Sequence, residues 1–401
     1  MNTIENLKDL KGKKYLVRVD FNVPLKGNVV RDNNRIVSAL PTINYLVKAG
    51  AKVTLMSHLG KVDWGKVDDA TIADQMKKND MELVYPEVKK LLAPTHVYFT
   101  KATHGEELTN AINALKDGEV LLVQNTRYEK GEAKNKPELS LDWAKNFDGF
   151  VMDAFGSAHR AHASTYGVPE ILKKEGKPVA LGFLMEKEVK NLNICVTGKN
   201  HPYIAILGGF KVSDKIKVID SLLKKCDKIL IGGAMTYTFL KALGKKIGNS
   251  PCEDDQLEYA KKCFDSGKIL LPVDTIEANG FDTYTTVKTV EGDIDDGFEG
   301  LDVGPKTIEN YKKVIATAKT IFWNGPMGVF ENPDFIKGTE AICKAITDNK
   351  SAFSVIGGGD SAAAAKQLGY DTKFSHVSTG GGASLEMIEN DGHLPGIDII
   401  G

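Results

Sequence analysis

Arginine is scarce in this chain. Of 52 basic residues only five are arginine, and Arg18, Arg31, Arg35, Arg127 and Arg160 all fall in the first 160 residues. Lysine replaces arginine readily on a solvated face, but not where a planar fork must grip a carboxylate or phosphate. Arg31 reads as a surface residue, and Arg18 stays open between a surface and a ligand role. Cysteine is scarce too. The five present, Cys195, Cys226, Cys252, Cys263 and Cys343, are odd in number and form no C-x-x-C pair, which suits reduced cytosolic thiols. No run approaches the roughly 20 apolar residues of a membrane span. The start, MNTIENLKDLKGKKY, has no apolar core of a secretory signal, so a cytoplasmic location is expected. Net charge is −1, which argues against nucleic acid or a membrane surface as the main partner.

What is present supports a full core. Hydrophobic residues make up 42% and charged residues 26% of 401 positions, which suggests two domains. The most informative stretch is YIAILGGFKVSDKIKVI, Tyr203 to Ile219. It begins as a buried strand, breaks at Gly208 and Gly209, and continues as a helix with Val212, Ile216, Ile219 and Leu223 at helical spacing. Ser213 or Asp214 is the expected cap. Lys211 and Lys215 sit near the electropositive end of that helix, which is the wrong end for cations unless an anion lies between them. The plainer alternative is two solvated lysines.

Strand, polar turn, helix is the pattern of the first half. Strands are expected over Lys14–Val19, from Ala51 to an end at Ser57, His58 and Gly60, and over Val97–Thr100, Val120–Val123 and Gly149–Met152. A helix starts at Asn33 or Asn34 and runs to Gly50, with Arg35 in its first turn. The polar stretch Lys61 to Asp80 reads as an excursion. Polar residues other than lysine cluster just after strands: Asp20 and Asn22, His58, Asn125 and Arg127, His159 and Arg160. Ligands of open parallel α/β sheets bind outside the carboxyl ends of the strands, so these positions describe one basic bowl for a small anion.

From Gly182 to Cys195 the chain reads as one amphipathic helix between two series of βα units, a linker placed at 181–196. The second half repeats the scheme with glycine turns. ILGG (206–209), LIGG (230–233), LPVD (271–274), WNGPMG (323–328), VIGGGD (355–360) and VSTGGG (377–382) each follow an apolar strand and are expected to precede a helix. Such turns let phosphate approach backbone N–H groups. Asp360, just past the glycines, is placed to hold Mg²⁺ on phosphates, or to cap the helix. Two local matches fail. GKVDWGK (60–66) is followed by Val67 where a P-loop needs Ser or Thr, and GGGDSA (357–362) lacks an acidic residue closing the next strand.

Ten motifs taken together resemble one family. RVDFNVP (18–24), NNRIVSALPTI (33–43), SHLG (57–60), NTRYEKGE (125–132), DAFGSAHRAHAS (153–164), FLMEKE (183–188), ILGGFKVSDKI (206–216), WNGPMGVFE (323–331), GGGDSAAA (357–364) and HVSTGGGASLE (376–386) look like phosphoglycerate kinase, from about residue 13 to 397. The resemblance implies two Rossmann-like three-layer α/β domains with parallel sheets, joined by a helix and with a cleft between them. It implies a glycerate domain over 1–180 to which 388–401 returns, and a nucleotide domain over 197–387. It implies transfer of phosphoryl from 1,3-bisphosphoglycerate to ADP with Mg²⁺, by a cytoplasmic monomer whose partners are small molecules alone. By match to the motifs, Asp20, Asn22, Arg35, His58, Leu59, Gly60, Lys61, Arg127 and Arg160 bind the glycerate substrate. Lys211, Lys215, Gly300, Glu331, Gly358, Gly359, Asp360 and Ser361 bind the nucleotide, with Asp360 as metal ligand. Arg35, Lys211, Gly358 and Gly381 surround the phosphoryl group in flight.

Three positions depart from the family pattern: Lys61 where most members carry Arg, Phe210 in place of Ala, and Ala234 in place of Gly. The last two fall near where the family seats adenine. Because the acceptor in the reverse direction is a carboxylate already ionised at neutral pH, no general base is needed, and catalysis reduces to positioning and charge neutralisation. Hinge closure at the linker helix and near residues 380–395 is expected to bring the substrates together. Competing readings are a dehydrogenase, which would need the missing acidic residue, and a binding protein without catalysis, which retention of Lys211 and Asp360 disfavours.

Overall fold

The computed structural model describes residues 1–401. The chain divides into two compact units, residues 1–189 with 393–401, and residues 190–392. In the first unit, strands β1 (Lys14–Val19), β2 (Lys52–Met56), β3 (Val97–Thr100), β4 (Val120–Val123), β5 (Gly149–Asp153) and β6 (Val179–Leu181) form one sheet in the order β3-β4-β2-β1-β5-β6. Every neighbouring pair is parallel. Strands β1, β2, β4 and β5 are buried along nearly their whole length, because helical crossovers cover both faces of a parallel sheet. This explains why they read as continuous apolar runs rather than alternating ones. The core gathers Val17, Val53, Leu55, Leu122 and Val151 under the helix Asn34–Lys48, which buries Ile36, Ile43 and Leu46.

The end of the chain belongs to this first unit. Asn2 N donates to Gly401 O at 3.0 Å, Gly396 N to Ala158 O at 2.8 Å, and Lys173 Nζ to Ile399 O at 3.1 Å. One expectation fails here. The polar stretch after residue 60 contains a helix, Asp69–Lys78, whose N-cap Asp68 accepts from Thr71 N. Only Ile72 of that helix is buried, so the apolar periodicity that marks a helix in sequence is missing.

The second unit holds β7 (Tyr203–Leu207), β8 (Lys228–Ile231), β9 (Ile269–Leu270), β10 (Thr320–Asn324), β11 (Phe353–Ile356) and β12 (His376–Val377), ordered β9-β8-β7-β10-β11-β12 and again all parallel. This is the doubly wound Rossmann order, 3-2-1-4-5-6. A three-stranded antiparallel sheet, Asp274–Ala278 between Val287–Glu291 and Glu299–Val303, is inserted after β9. LPVD therefore precedes a strand, not a helix. Its Asp274 instead accepts from Lys306 N at 2.8 Å and Thr307 N at 2.9 Å, opening the helix Pro305–Thr317 across the insertion.

The boundary between the units falls inside one helix, Phe183–Thr197. Its first turn is bound to the first unit: Phe183 N donates to Thr42 Oγ1 at 3.0 Å and Met185 N to Asp153 Oδ1 at 3.3 Å. A Cβ on Gly182 would stand 2.2 Å from Asp153 Oδ1, so only glycine fits there.

Asp153 is fully buried, its Oδ2 has no partner, and burial pushes its carboxyl up to about 7. The unfolded aspartate ionises near pH 4, so its folded-state stability is full below about pH 4 and is lost as pH rises through about 7. Asp153→Asn cannot ionise and should lose this slope. Its urea midpoint, compared with wild type, should rise between about pH 5 and pH 8. A difference that stays constant over that range would mean the folded carboxyl is already ionised.

Candidate active site

Register places the functional ends of the first sheet side by side. Arg18 pairs across to Met56 on one side and Met152 on the other, so β1, β2 and β5 finish together. Asp20, His58 and Arg160 follow those ends, and Arg127 follows β4 on the short turn Thr126–Tyr128. All strands run the same way, so these residues share one edge.

Arg18 lies beneath that edge with 1% of its surface exposed. A buried guanidinium is tolerated only if its donors and charge are met. Its Nε donates to Ser164 Oγ at 2.8 Å, and Ser164 Oγ donates to Glu132 Oε2 at 2.8 Å. Its Nη2 meets His58 Nδ1 at 3.1 Å. A guanidinium can only donate, so Nδ1 is the acceptor and the ring proton of His58 sits on Nε2. Burial first, then the charges of Arg18, Arg127, Arg35 and Arg160, hold His58 well below its ordinary pKa. The histidine is thus a neutral donor inside a ring of cations.

Arg35 projects from the first turn of its helix. Its Nη1 alone meets Asp20 Oδ1 at 3.1 Å, Asp20 Oδ2 at 3.3 Å and Asn22 O at 3.0 Å. Nε and Nη2 are left for a ligand. Asn22 Oδ1 accepts from Gly60 N at 2.8 Å, and Arg127 Nη1 donates to Gly60 O at 2.7 Å, so both faces of that glycine peptide are tied to the bowl. Asn125, expected in the bowl, is a clamp instead. Its Oδ1 accepts from Leu59 N and Arg127 N, and its Nδ2 donates to Leu59 O and Asn79 O. Those four bonds consume the amide and fix Leu59 in place. Beside the clamp opens a cavity of about 520 Å³. Lys61, Lys66, Lys130, Lys134, Arg127 and Arg160 face three carboxylates there, Asp63, Glu129 and Glu132, so the cavity is cationic.

In the second unit the turns pack backbone on backbone. A Cβ on Gly208 would stand 2.0 Å from Pro326 O. The helices Gly359–Gln367 and Gly381–Glu389 begin next to each other, since a Cβ on Gly381 would lie 3.0 Å from Gly358 Cα. Their free first-turn N–H groups and aligned dipoles suit phosphate. Lys215 is half-buried at the root of these turns. It donates to Asn324 Oδ1, and Asn324 Nδ2 donates to Gly357 O. Burial lowers its pKa, opposed by Asp214, Asp360 and Glu389. Ser361 Oγ accepts from Gly325 N at 2.5 Å, which fixes the glycine turn after β10. Gly300, Glu331 and Asp360 line one cavity of about 480 Å³.

Two expectations change on this side. Neither Ser213 nor Asp214 caps the helix. A short 3₁₀ turn, Ser213–Lys215, precedes the helix Ile216–Lys225, with Lys215 at the N-cap position. Ser213 Oγ is committed to Glu253 Oε2 at 2.5 Å and cannot serve. Asp360 is not the cap of its helix either, because Gly358 holds that position. Lys211 is exposed, near Glu253, and is not among the residues lining the cavity. Sequence reasoning passed over Glu132, Ser164 and Asn324, although all three lie within the recognised motifs. It also missed Tyr237 and Phe281 of the cavity wall, which no motif marks.

The phosphoglycerate kinase family model matches residues 4–391. The chain is 51% identical over 403 residues to phosphoglycerate kinase of Streptococcus equi subsp. zooepidemicus (strain H70), covering 98% of each. It is 48% identical over 408 residues to that of Latilactobacillus sakei subsp. sakei (strain 23K), covering 99% of this chain and 98% of the relative. Its fold superimposes on phosphoglycerate kinase from Coxiella burnetii with a TM-score of 0.85 and 35% identity, covering 99% of this chain and 98% of the other. The two parallel sheets, their loaded carboxyl edges and these matches along nearly the whole length agree: the chain is a phosphotransferase of the phosphoglycerate kinase family.

Proposed function

We propose that this member of the phosphoglycerate kinase family, which transfers phosphoryl between 1,3-bisphosphoglycerate and ADP, divides the two substrates between its units and works as a cytoplasmic monomer. The first unit holds the glycerate substrate and the second the nucleotide. The observation that carries this reading is the contrast between the two edges. One presents fixed cations and a neutral histidine, the other adjacent helix N-termini behind glycine turns with Lys215 at their root. The reading divides the chain into a glycerate domain over 1–180 with 388–401, a linker helix over 181–196 and a nucleotide domain over 197–387.

The chemistry asks for no base. In the reverse direction the attacking carboxylate is already ionised, so the residues position and neutralise. Arg35, held by one nitrogen, offers its other donors to the glycerate substrate or the phosphoryl oxygens. His58 donates from Nε2 to a substrate oxygen, and Arg127 and Arg160 offset the negative charge of the substrate. Gly358 and Gly381 present backbone N–H groups where the phosphoryl group passes, and Lys211 joins them when nucleotide is bound. Asp360 fits Mg²⁺ as a carboxylate ligand, since it is exposed, lines the nucleotide cavity and is not used as a cap. Bound with the nucleotide, Mg²⁺ would offset phosphate charge. ATP formation from 1,3-bisphosphoglycerate and ADP in a coupled assay tests the reading as a whole, and no turnover would end it.

Three finer outcomes follow. Arg35→Lys should lower kcat far more than it raises the KM for 3-phosphoglycerate, by a factor corresponding to about 2–4 kcal/mol. An unchanged kcat would leave Arg35 as a ground-state contact. Asp360→Ala should keep the fold but lose the tightening of ATP binding by Mg²⁺, measured by calorimetry with and without the metal. Full retention of the metal effect would place the ligand elsewhere. In nitrogen NMR, His58 should remain a neutral Nε2–H tautomer through the pH range in which a free histidine titrates, near 6.5. Titration near that value would break the argument from Arg18.

A further inference from the structure

Of the sixteen phenylalanines in the chain, two are largely exposed, Phe210 at 66% and Phe281 at 54%, while the rest are buried or half-buried. Both line the same 480 Å³ cavity. An exposed aromatic ring is unremarkable alone, but two at one concave, mostly apolar site mark a surface that a flat ligand covers. They arrive from unrelated parts of the chain. Phe210 follows the glycine pair after β7, and Phe281 sits in the loop between the antiparallel strands Asp274–Ala278 and Val287–Glu291. Ala234 and Tyr237 continue the wall, and Asp360 supplies charge where the cavity meets the phosphate-binding helix.

We propose that Phe210 is a positioning residue for the nucleotide, its ring stacking on the heteroaromatic base and forming an aromatic clasp with Phe281. The inference rests on the nucleotide reading of the second unit and deepens it. Stacking is indifferent to the chemistry at the far end of the nucleotide, so it strengthens ground state and transition state alike. Phe210 directly precedes Lys211 and stands five residues before Lys215, so its ring sets how the base is seated relative to the phosphate site.

The experiment separates base from phosphate. Phe210→Ala should raise the KM for ADP about tenfold, in line with the loss of one base–aromatic stack, and the loss should appear in KM and not in kcat at saturating ADP. Phe210→Trp should restore the KM. Inorganic tripolyphosphate, which has no base, should inhibit wild type and Phe210→Ala with the same inhibition constant. An unchanged KM for ADP in Phe210→Ala would overturn the proposal. So would a parallel weakening of tripolyphosphate, which would show a displaced phosphate loop instead of a lost stack. A wild-type protein that makes no ATP from 1,3-bisphosphoglycerate and ADP would defeat the nucleotide reading itself, a result separable from either.

Discussion

Strand direction is the constraint on which the rest depends. Each unit is built on six parallel strands, and a parallel pair cannot be joined by a tight turn. Every connection must cross over a face, so both faces are buried and the turns at one edge are left free of packing duty. That edge is where the chain can place residues for a ligand without disturbing its core. In the first unit the turns carry Asp20, His58, Arg127 and Arg160. In the second they carry Gly208, Gly325, Gly358 and Gly381. The same architecture thus produces two chemically opposite sites, one of side-chain cations and one of backbone donors.

The cationic edge needs support from below. Crowding Arg35, Arg127 and Arg160 around a histidine is unfavourable unless the histidine stays neutral and the nearest buried charge is compensated. Arg18 does both. It occupies the acceptor lone pair of His58, and its own charge is met through Ser164 by Glu132. The network spans β1, the turn after β2, the turn after β4 and the segment near residue 164. It ties the edge into one rigid piece before any substrate arrives, which is what positioning catalysis requires. The glycine edge is held differently, by Asn324 and Ser361, whose bonds fix the turn after β10 and the two turns beside it.

Much of this was legible in sequence, for reasons that differ by residue. The strands of the parallel sheets are continuous apolar runs ended by glycine or polar turns, a pattern that burial on both faces enforces. Arg35 and Arg127 stood out because arginine is rare in a lysine-rich chain. Arg18 stood out equally but its role did not, since nothing local shows that a residue in mid-strand is both buried and paired to His58. Asn125 misled because an amide after a strand looks the same whether it faces a ligand or clamps a loop. The helix Asp69–Lys78 was invisible because it buries one residue. The antiparallel insertion was missed because Asp274, which ends one strand run in sequence, caps a helix thirty residues on, at Lys306 and Thr307. The apolar cavity wall could not be foreseen from motifs, as Phe281 and Tyr237 meet only after that insertion folds.

Division of the two substrates between the two edges is the central claim, and hydrogen–deuterium exchange tests it most directly. With 3-phosphoglycerate alone, slowed exchange should be confined to segments around residues 20–22, 35, 57–61, 125–132 and 160–164. With ADP and Mg²⁺ alone, it should be confined to segments around 208–216, 324–331, 357–362 and 380–384. Protection of the same segments by both ligands, or of the glycine turns by 3-phosphoglycerate alone, would contradict the account.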